Sequence, residues 1–286
     1  AVTVPFTVSG SAQKPADYSI TASPITIPAG ASSATITVTI VNDVLAEPNE
    51  NIVVTMGTPT NATKGAVTVH TLTITDNDAS AGGLVGYWKL DETGGTVVAL
   101  DSSGYGHTGT LQNQPTPSVG KVGGALSFDG NDDTVVLNGV DVNPATGGRN
   151  TVTFWMKWNG VENKMPFGWG GAYDLYFAQG YFGINTGCGD IVGVSSVGLK
   201  DRWVHVAAVF PNGEVPSATN ARLYIDGVLQ NIARCVGTSS QKRWATSQAR
   251  ISGWGPNSSY RFGGVLDDVR IYNRELTSTE IQLISR

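Results

Sequence analysis

Thr151-Val152-Thr153-Phe154-Trp155-Met156-Lys157-Trp158 alternates without a break. Val152, Phe154, Met156 and Trp158 fall on one side, and Thr151, Thr153, Trp155 and Lys157 on the other. That is the period of a β-strand, and no helix keeps an apolar face at that spacing. Arg202–Phe210 repeats the pattern and Val265–Tyr272 reads as a final strand. Leu223–Leu229 carries Asp226-Gly227 at its centre, the dipeptide that favours a tight hairpin. Leu84–Leu90, Ala125–Phe128 and Thr134–Leu137 are further extended runs. Thr277-Ser278-Thr279-Glu280 is a capping box that opens one short helical turn. Many short strands separated by turns, over about 200 residues, argue for a two-sheet jelly roll.

Upstream of residue 79 the composition changes. Residues 1–78 are rich in Thr, Val and Ile and contain neither Trp nor Cys, whereas all seven Trp and both Cys lie beyond. Ala79-Ser80-Ala81-Gly82-Gly83 separates the two and reads as a linker. The expected division is 1–78, 79–83 and 84–286. In the first segment Val2–Val8, Ile25–Ile27, Ala34–Val41, Ile52–Met56 and Thr68–Thr75 alternate, as in an antiparallel sandwich with one wet side. Its acids gather at strand ends, as Asp17, then Asp43 with Glu47 and Glu50, then Asp76 and Asp78. Carboxylates brought together at one pole repel unless a hard cation lies between them, and Ca²⁺ suits irregular oxygen sets. The bland alternative is polar strand caps and turns.

The net charge of −5 over 286 residues leaves no basic footprint for nucleic acid. No run approaches 18 apolar residues, so membrane insertion is not expected. The chain reads as an all-β, monomeric piece of a larger multidomain protein.

Asp17-Tyr18, Ile25–Gly30, Asn42-Asp43 with Glu47 and Glu50, and Thr73–Asp78 together resemble the Calx-beta motif, an immunoglobulin-like sandwich that often binds calcium at one end. The resemblance implies Asp17, Asp43, Glu47, Asp76 and Asp78 as calcium ligands. Tyr87–Glu92, Asp101–Gly104, Gly123–Gly130, Arg202–Ala207, Tyr224–Gly227 and Leu266–Asn273 resemble the laminin-G-like, concanavalin A-like lectin/glucanase superfamily. It implies a jelly roll with Asp101, Asp267 and, more weakly, Asp129 near a structural calcium. Fold does not settle function, since the superfamily includes lectins, carbohydrate-binding modules, adhesion domains and some glycosidases.

Glycosidase chemistry of the retaining kind needs two carboxyls about 5–5.5 Å apart. Glu92, Glu162, Glu214, Glu275 and Glu280 are scattered, and adjacent Asp267 and Asp268 are expected on opposite faces of a strand. No enzyme is expected. Sugar recognition uses an aromatic ring against the apolar face of a pyranose, with amides and carboxylates to its hydroxyls. Met165–Gly193 reads as an aromatic loop region, and Trp169, Tyr173, Asn185, Asp190 and the loop residue Trp254 are the expected glycan contacts. Cys188 and Cys235 are expected to form a disulfide, with two buried thiols as the alternative. The function expected is a non-catalytic carbohydrate-binding or adhesion module of a secreted or surface bacterial protein. The alternatives are a structural or protein-binding domain without a glycan ligand, and an accessory module of a polysaccharide-degrading enzyme. Exposure of Trp169 and Trp254 on one surface is what separates them.

Overall fold

The computed structural model describes residues 1–41, 49–75, 83–238, 240–255 and 258–286. The chain divides into two compact units, 1–81 and 82–286. The smaller contains β1 (Val2–Val4), β2 (Phe6–Gly10), β3 (Tyr18–Ile20), β4 (Ile25–Ile27), β5 (Val38–Ile40), β6 (Glu50–Met56) and β7 (Val69–Ile74). All pairings are antiparallel: β1 with β4, β3 with β5, and β2 and β7 on either side of β6. Pro5 divides the run expected to be continuous from Val2 to Val8, because it has no N–H to give a ladder. Ala34–Val41 shortens to β5, with Thr37 N–H turned to the Thr21 hydroxyl at 2.9 Å.

The larger unit begins with β8 (Leu84–Trp88), β9 (Val98–Ala99), β10 (Gly109–Gln112), β11 (Thr116–Val119), β12 (Gly124–Asp129) and β13 (Thr134–Leu137). Then come β14 (Arg149–Trp158), β15 (Lys164–Trp169), β16 (Asp174–Ala178), β17 (Tyr181–Asn185), β18 (Ile191–Ser195) and β19 (Trp203–Pro211). It ends with β20 (Arg222–Ile225), β21 (Val228–Leu229), β22 (Ala233–Val236), β23 (Ala249–Ile251), β24 (Gly263–Tyr272) and α1 (Ser278–Ile284). Among the described residues these form two antiparallel sheets, a jelly roll. One has nine strands in the order β22-β18-β17-β16-β15-β23-β13-β10-β9. The other runs β11-β12-β24-β14-β19-β20-β21, with β8 also on β24.

The core lies between the two sheets. Val152, Phe154, Met156 and Trp158 of β14 face Phe167, Leu175, Phe177 and Ile184 of the nine-stranded sheet within one apolar cluster. Trp158 stacks on Phe177 with centroids 4.0 Å apart, and Phe177 stacks on Phe182 at 4.2 Å. Asp226 (φ +51°) and Gly227 (φ +76°) form the hairpin turn between β20 and β21. Positive φ at both central positions is what the tight hairpin needs and what Asp-Gly tolerates. The capping box is present, and the helix it opens runs two turns rather than one.

Two expectations change here. Asp267 and Asp268 do not point to opposite faces. Between the core residues Leu266 and Val269 the chain carries two residues where alternation allows one, and Asp268 takes φ +56°. The register against β14 shifts between Thr153 and Trp155 at this point. This β-bulge turns both carboxylates away from the core. Asp267 Oδ2 accepts from the N–H groups of Lys121 (2.7 Å) and Val122 (2.9 Å). Asp268 accepts from the Tyr87 hydroxyl at 2.5 Å and pairs with Arg270 at 3.2 Å.

Cys188 and Cys235 are both free thiols. Ile191 faces Val236 across the β18–β22 ladder, so Cys235 lies beside β18 and not opposite the turn that holds Cys188. Its thiol instead contacts the Gly193 and Ala233 carbonyls, each at 3.3 Å.

Candidate functional site

Met165–Gly193 is not a loop region. It folds as β15, β16 and β17, because Phe167/Trp169, Leu175/Phe177 and Phe182/Ile184 each alternate into the core. Trp169 is fully buried, edge-on to Phe167 at 4.9 Å and to Phe210 at 5.9 Å. No ring face is left for a sugar, so the expected exposure of Trp169 is corrected. Tyr173 is likewise buried. Its hydroxyl donates to the Pro211 carbonyl at 2.6 Å, and burial pushes its pKa up to about 12. Asp190 is buried as a loop organiser. Its Oδ1 accepts from the Thr186 N–H (3.0 Å) and hydroxyl (2.8 Å), and its Oδ2 from the Ser240 hydroxyl (2.6 Å).

The same alternation creates a polar row on the other side of the sheet. Successive register partners are Thr110, Val136, Arg250, Gly168, Asp174 and Asn185. Their chain neighbours Val135, Leu137, Ala249, Ile251, Phe167, Trp169, Tyr173, Leu175 and Ile184 all lie in the core cluster. The row therefore faces outward. Asn185 Nδ2 donates to both oxygens of Asp174, at 2.9 and 2.8 Å. Burial pushes the Asp174 carboxyl well above the usual carboxylate range, against the pull of that amide.

Trp254 lies across the middle of the row. A Cβ on Gly168 would come within 2.5 Å of Trp254 Cβ, and the edge of the indole reaches Gly187. The ring is half-buried against a small outward cluster that includes Met165, Tyr176 and Tyr260. Burial pushes the Tyr176 hydroxyl up to about 12, and it donates to Asn163 at 2.9 Å. Arg261 holds the Trp254 turn: its Nη1 donates to the Ser252 carbonyl at 3.4 Å and its Nη2 to the Gly255 carbonyl at 3.1 Å. Arg243, anchored by the Thr186 carbonyl at 2.9 Å, flanks Gly187 as Trp254 does.

Of the five expected contacts, only Trp254 is left partly open on the outward side; Asn185 is on that side of the sheet but is 2% exposed with its amide held by the buried Asp174, and Arg250 and Arg243 are the half-buried additions. Trp244, beside Arg243, is 42% exposed and lies outside the expected set. The signal for it was a Trp in the polar run Gln241-Lys242-Arg243-Trp244, which has no alternation.

The acidic residues divide differently from the expectation. Asp43, Glu47, Asp76 and Asp78 lie outside the described residues. Asp17 closes a turn, accepting from the Gln13 N–H while its carbonyl accepts from Val41 N–H at 2.9 Å. Asp101 accepts from the N–H groups of Tyr87 (3.0 Å), Ser103 (2.9 Å) and His107 (2.8 Å). Burial opposes its charge, but these hydrogen bonds outweigh it and hold the carboxyl below its usual range. Asp267 is buried, and burial pushes it up to about 7 with help from Asp268 and Asp91.

Among the described residues, the group of acids whose ligand atoms converge within 4.8 Å is Asp129, Asp132 and Asp133. Asp101 and Asp267 are not part of it. Asp129 accepts from the Asn131 N–H (2.8 Å) and amide (2.9 Å), and Asp133 from the Asp129 N–H (3.0 Å). Three carboxylates so placed offer hard oxygens to a cation.

Comparison with known families matches residues 129–282, more than half of the chain, to the laminin-G family described as the concanavalin A-like lectin/glucanases superfamily. Residues 1–78 match the Calx-beta domain. Among solved structures, domain 4 of AbnA, a GH43 extracellular arabinanase from Geobacillus stearothermophilus in complex with arabinotriose, is similar at 17% identity and TM-score 0.50. The match covers 71% of this chain and 98% of that one. The binding domain of Paraclostridial Mosquitocidal Protein 1 is similar at 13% identity and TM-score 0.51, covering 71% of this chain and 52% of that one. At these identities the likeness is one of fold. No match was found among curated proteins.

Proposed function

Because the chain belongs to the concanavalin A-like lectin/glucanase superfamily, with a Calx-beta domain ahead of it, we propose that its larger unit is a non-catalytic glycan-binding module. The observation that carries this is the half-exposed Trp254, laid over Gly168 in a polar row between Arg250 and the Asp174–Asn185 pair. An indole with guanidinium donors at its edges is what a pyranose or furanose needs, a ring to stack on and forks for its hydroxyls. Asp174 and Asn185 lie beneath the ring and stiffen the floor. The arabinotriose in the arabinanase domain supports the sugar class, and the accessory-module reading follows from the same relative. Such a module works outside the cell, where polysaccharides are, and cell fractionation checks that.

The test is binding of the full chain to a neutral and acidic polysaccharide panel. Trp254→Ala is expected to abolish the hits. Trp169→Ala is expected to act through stability alone, at about 3–5 kcal/mol for a buried aromatic. A blank panel with a folded chain would favour the protein-binding alternative.

Calcium belongs to the same reading. Asp129, Asp132 and Asp133 would hold it, and it would supply charge neutralisation that pins the 129–133 turn. Asp133 is raised by its burial and by the charges of Asp129 and Asp132, so a cation there relieves repulsion. Millimolar calcium is expected to raise the melting temperature of the larger unit, and Asp133→Asn to remove that shift.

A further inference from the structure

Arg250 leaves the sheet on the outward side between Val136 and Gly168. Its Nε and Nη1 are buried and have no acceptor among the described residues. Arg261 is 3% exposed. Two of its nitrogens reach the Ser252 and Gly255 carbonyls, but its Nε has no acceptor among the described residues. The indole N–H of Trp254, between them in sequence, also has none. Four donor nitrogens on three neighbouring side chains therefore lack acceptors among the described residues.

The charge is as one-sided as the hydrogen bonding. Arg250 and Arg261 repel through space, and neither makes an ion pair among the described residues. The acid that acts on Arg261 is Asp132, an exposed residue that makes no ion pair with it. Lys164 adds a third cation nearby, its Nζ bonded to the Gly130 carbonyl at 2.7 Å and to the Ser259 carbonyl at 3.2 Å.

Orphaned donors are satisfied by any acceptor, water and neutral hydroxyls included. Two neighbouring guanidinium groups that make no ion pair among the described residues favour an anion over a neutral acceptor. An oxyanion meets both needs, because it is acceptor-only, has several lone pairs and fits the planar guanidinium fork. Resting on the glycan reading above, we infer that the Arg250–Arg261 region beside Trp254 seats an anionic group of the sugar, so that the ligand is an acidic saccharide bearing a carboxylate or sulfate. Trp254 stacks on the ring of that residue, and Arg250, half-buried in the row beside Gly168, meets its charge. Arg261 stays behind as the group that positions the Trp254 turn.

The experiment uses the full chain and three probes: an oligogalacturonate, a sulfated galactan oligosaccharide and a neutral arabino-oligosaccharide. Calorimetric titration is expected to show one acidic probe binding at least about tenfold more tightly than the neutral one, as expected for a charge-assisted fork. Arg250→Gln is expected to erase that preference, Arg250→Lys to restore part of it, and Trp254→Ala to remove binding altogether. Which acidic probe wins assigns carboxylate or sulfate. Equal binding of neutral and acidic probes, unmoved by Arg250→Gln, overturns the inference and leaves the glycan reading intact.

If no saccharide binds, the glycan reading fails, and the anion seat is judged separately. Free galacturonate and sulfate are then titrated while the Arg250 Nε–H resonance is followed. A saturable shift supports the seat, and an unmoved resonance overturns it. Matched circular dichroism of wild type and Arg250→Gln excludes misfolding as the cause of any loss.

Discussion

His205 and Asp267 are buried on the outward side of the eight-stranded sheet and set opposite pH dependences. Burial, with Arg270 adding repulsion, pushes His205 down to about 3. The unfolded chain takes up that proton near pH 6.5, so the stability from His205 is full above 6.5 and is lost as pH falls toward 3. Asp267, raised to about 7, keeps its proton in the folded state where the unfolded chain has lost it. Its contribution is full below about pH 4 and is lost as pH rises to 7. Between pH 4 and 6.5 the two offset each other. Chemical denaturation across that window should show His205→Gln growing less stable with rising pH, and Asp267→Asn growing more stable. Parallel curves for the two variants would contradict the assignment.

Gly168 is the other residue on which much depends. Its missing side chain is what lets Trp254 cross the row. Gly168→Ala should cost about 1–3 kcal/mol through overpacking, red-shift the Trp emission and weaken glycan binding. An Ala variant that binds as wild type would show that Trp254 does not lie where binding occurs.

At the scale of elements, α1 is legible down to its contacts. Thr277 accepts from the Glu280 N–H, and Glu280 accepts from the Thr277 N–H at 2.6 Å. Arg274 adds a 2.5 Å ion pair. Burial works against the Glu280 charge, but these partners hold it down at about 2. Its contribution to stability is thus full above pH 4.5 and is lost as pH falls toward 2. Thr277→Ala should lower stability by about 1 kcal/mol at neutral pH, read from the denaturant midpoint. The alternating strands of the eight-stranded sheet and the Asp226-Gly227 turn were equally readable, because each signal is local. The bulge at Asp268 was not, since its extra residue shows only against the register of β14.

At the scale of the whole molecule, the two units differ in core. Among the described residues of the smaller one, the buried apolar side chains are Phe6, Tyr18 and Ile52, whereas the larger buries several dozen around Trp88, Phe154 and Phe210. Burial of apolar area sets most of the folding free energy. Calorimetry of the full chain should show two transitions, the smaller unit melting first. A single cooperative transition would mean that the two units stabilise each other.

Legible from the residues alone are the all-β class, the change of composition near residue 79, the Calx-beta-like and concanavalin A-like parts, and the position of the helix cap. Period-two alternation, turn dipeptides and capping boxes act between near neighbours, so they survive in one dimension. Which side of each strand becomes the core depends on how the two sheets pack. Trp169 and Trp254 both stand between glycines in the chain, yet Trp169 is sealed between two sheets and Trp254 lies half-open on the outside. The row from Arg250 to Asn185 joins four strands through their register, which no single stretch encodes. The same holds for the cysteines: their separation depends on how β18 and β22 slide past each other, a choice made by packing rather than by the thiols.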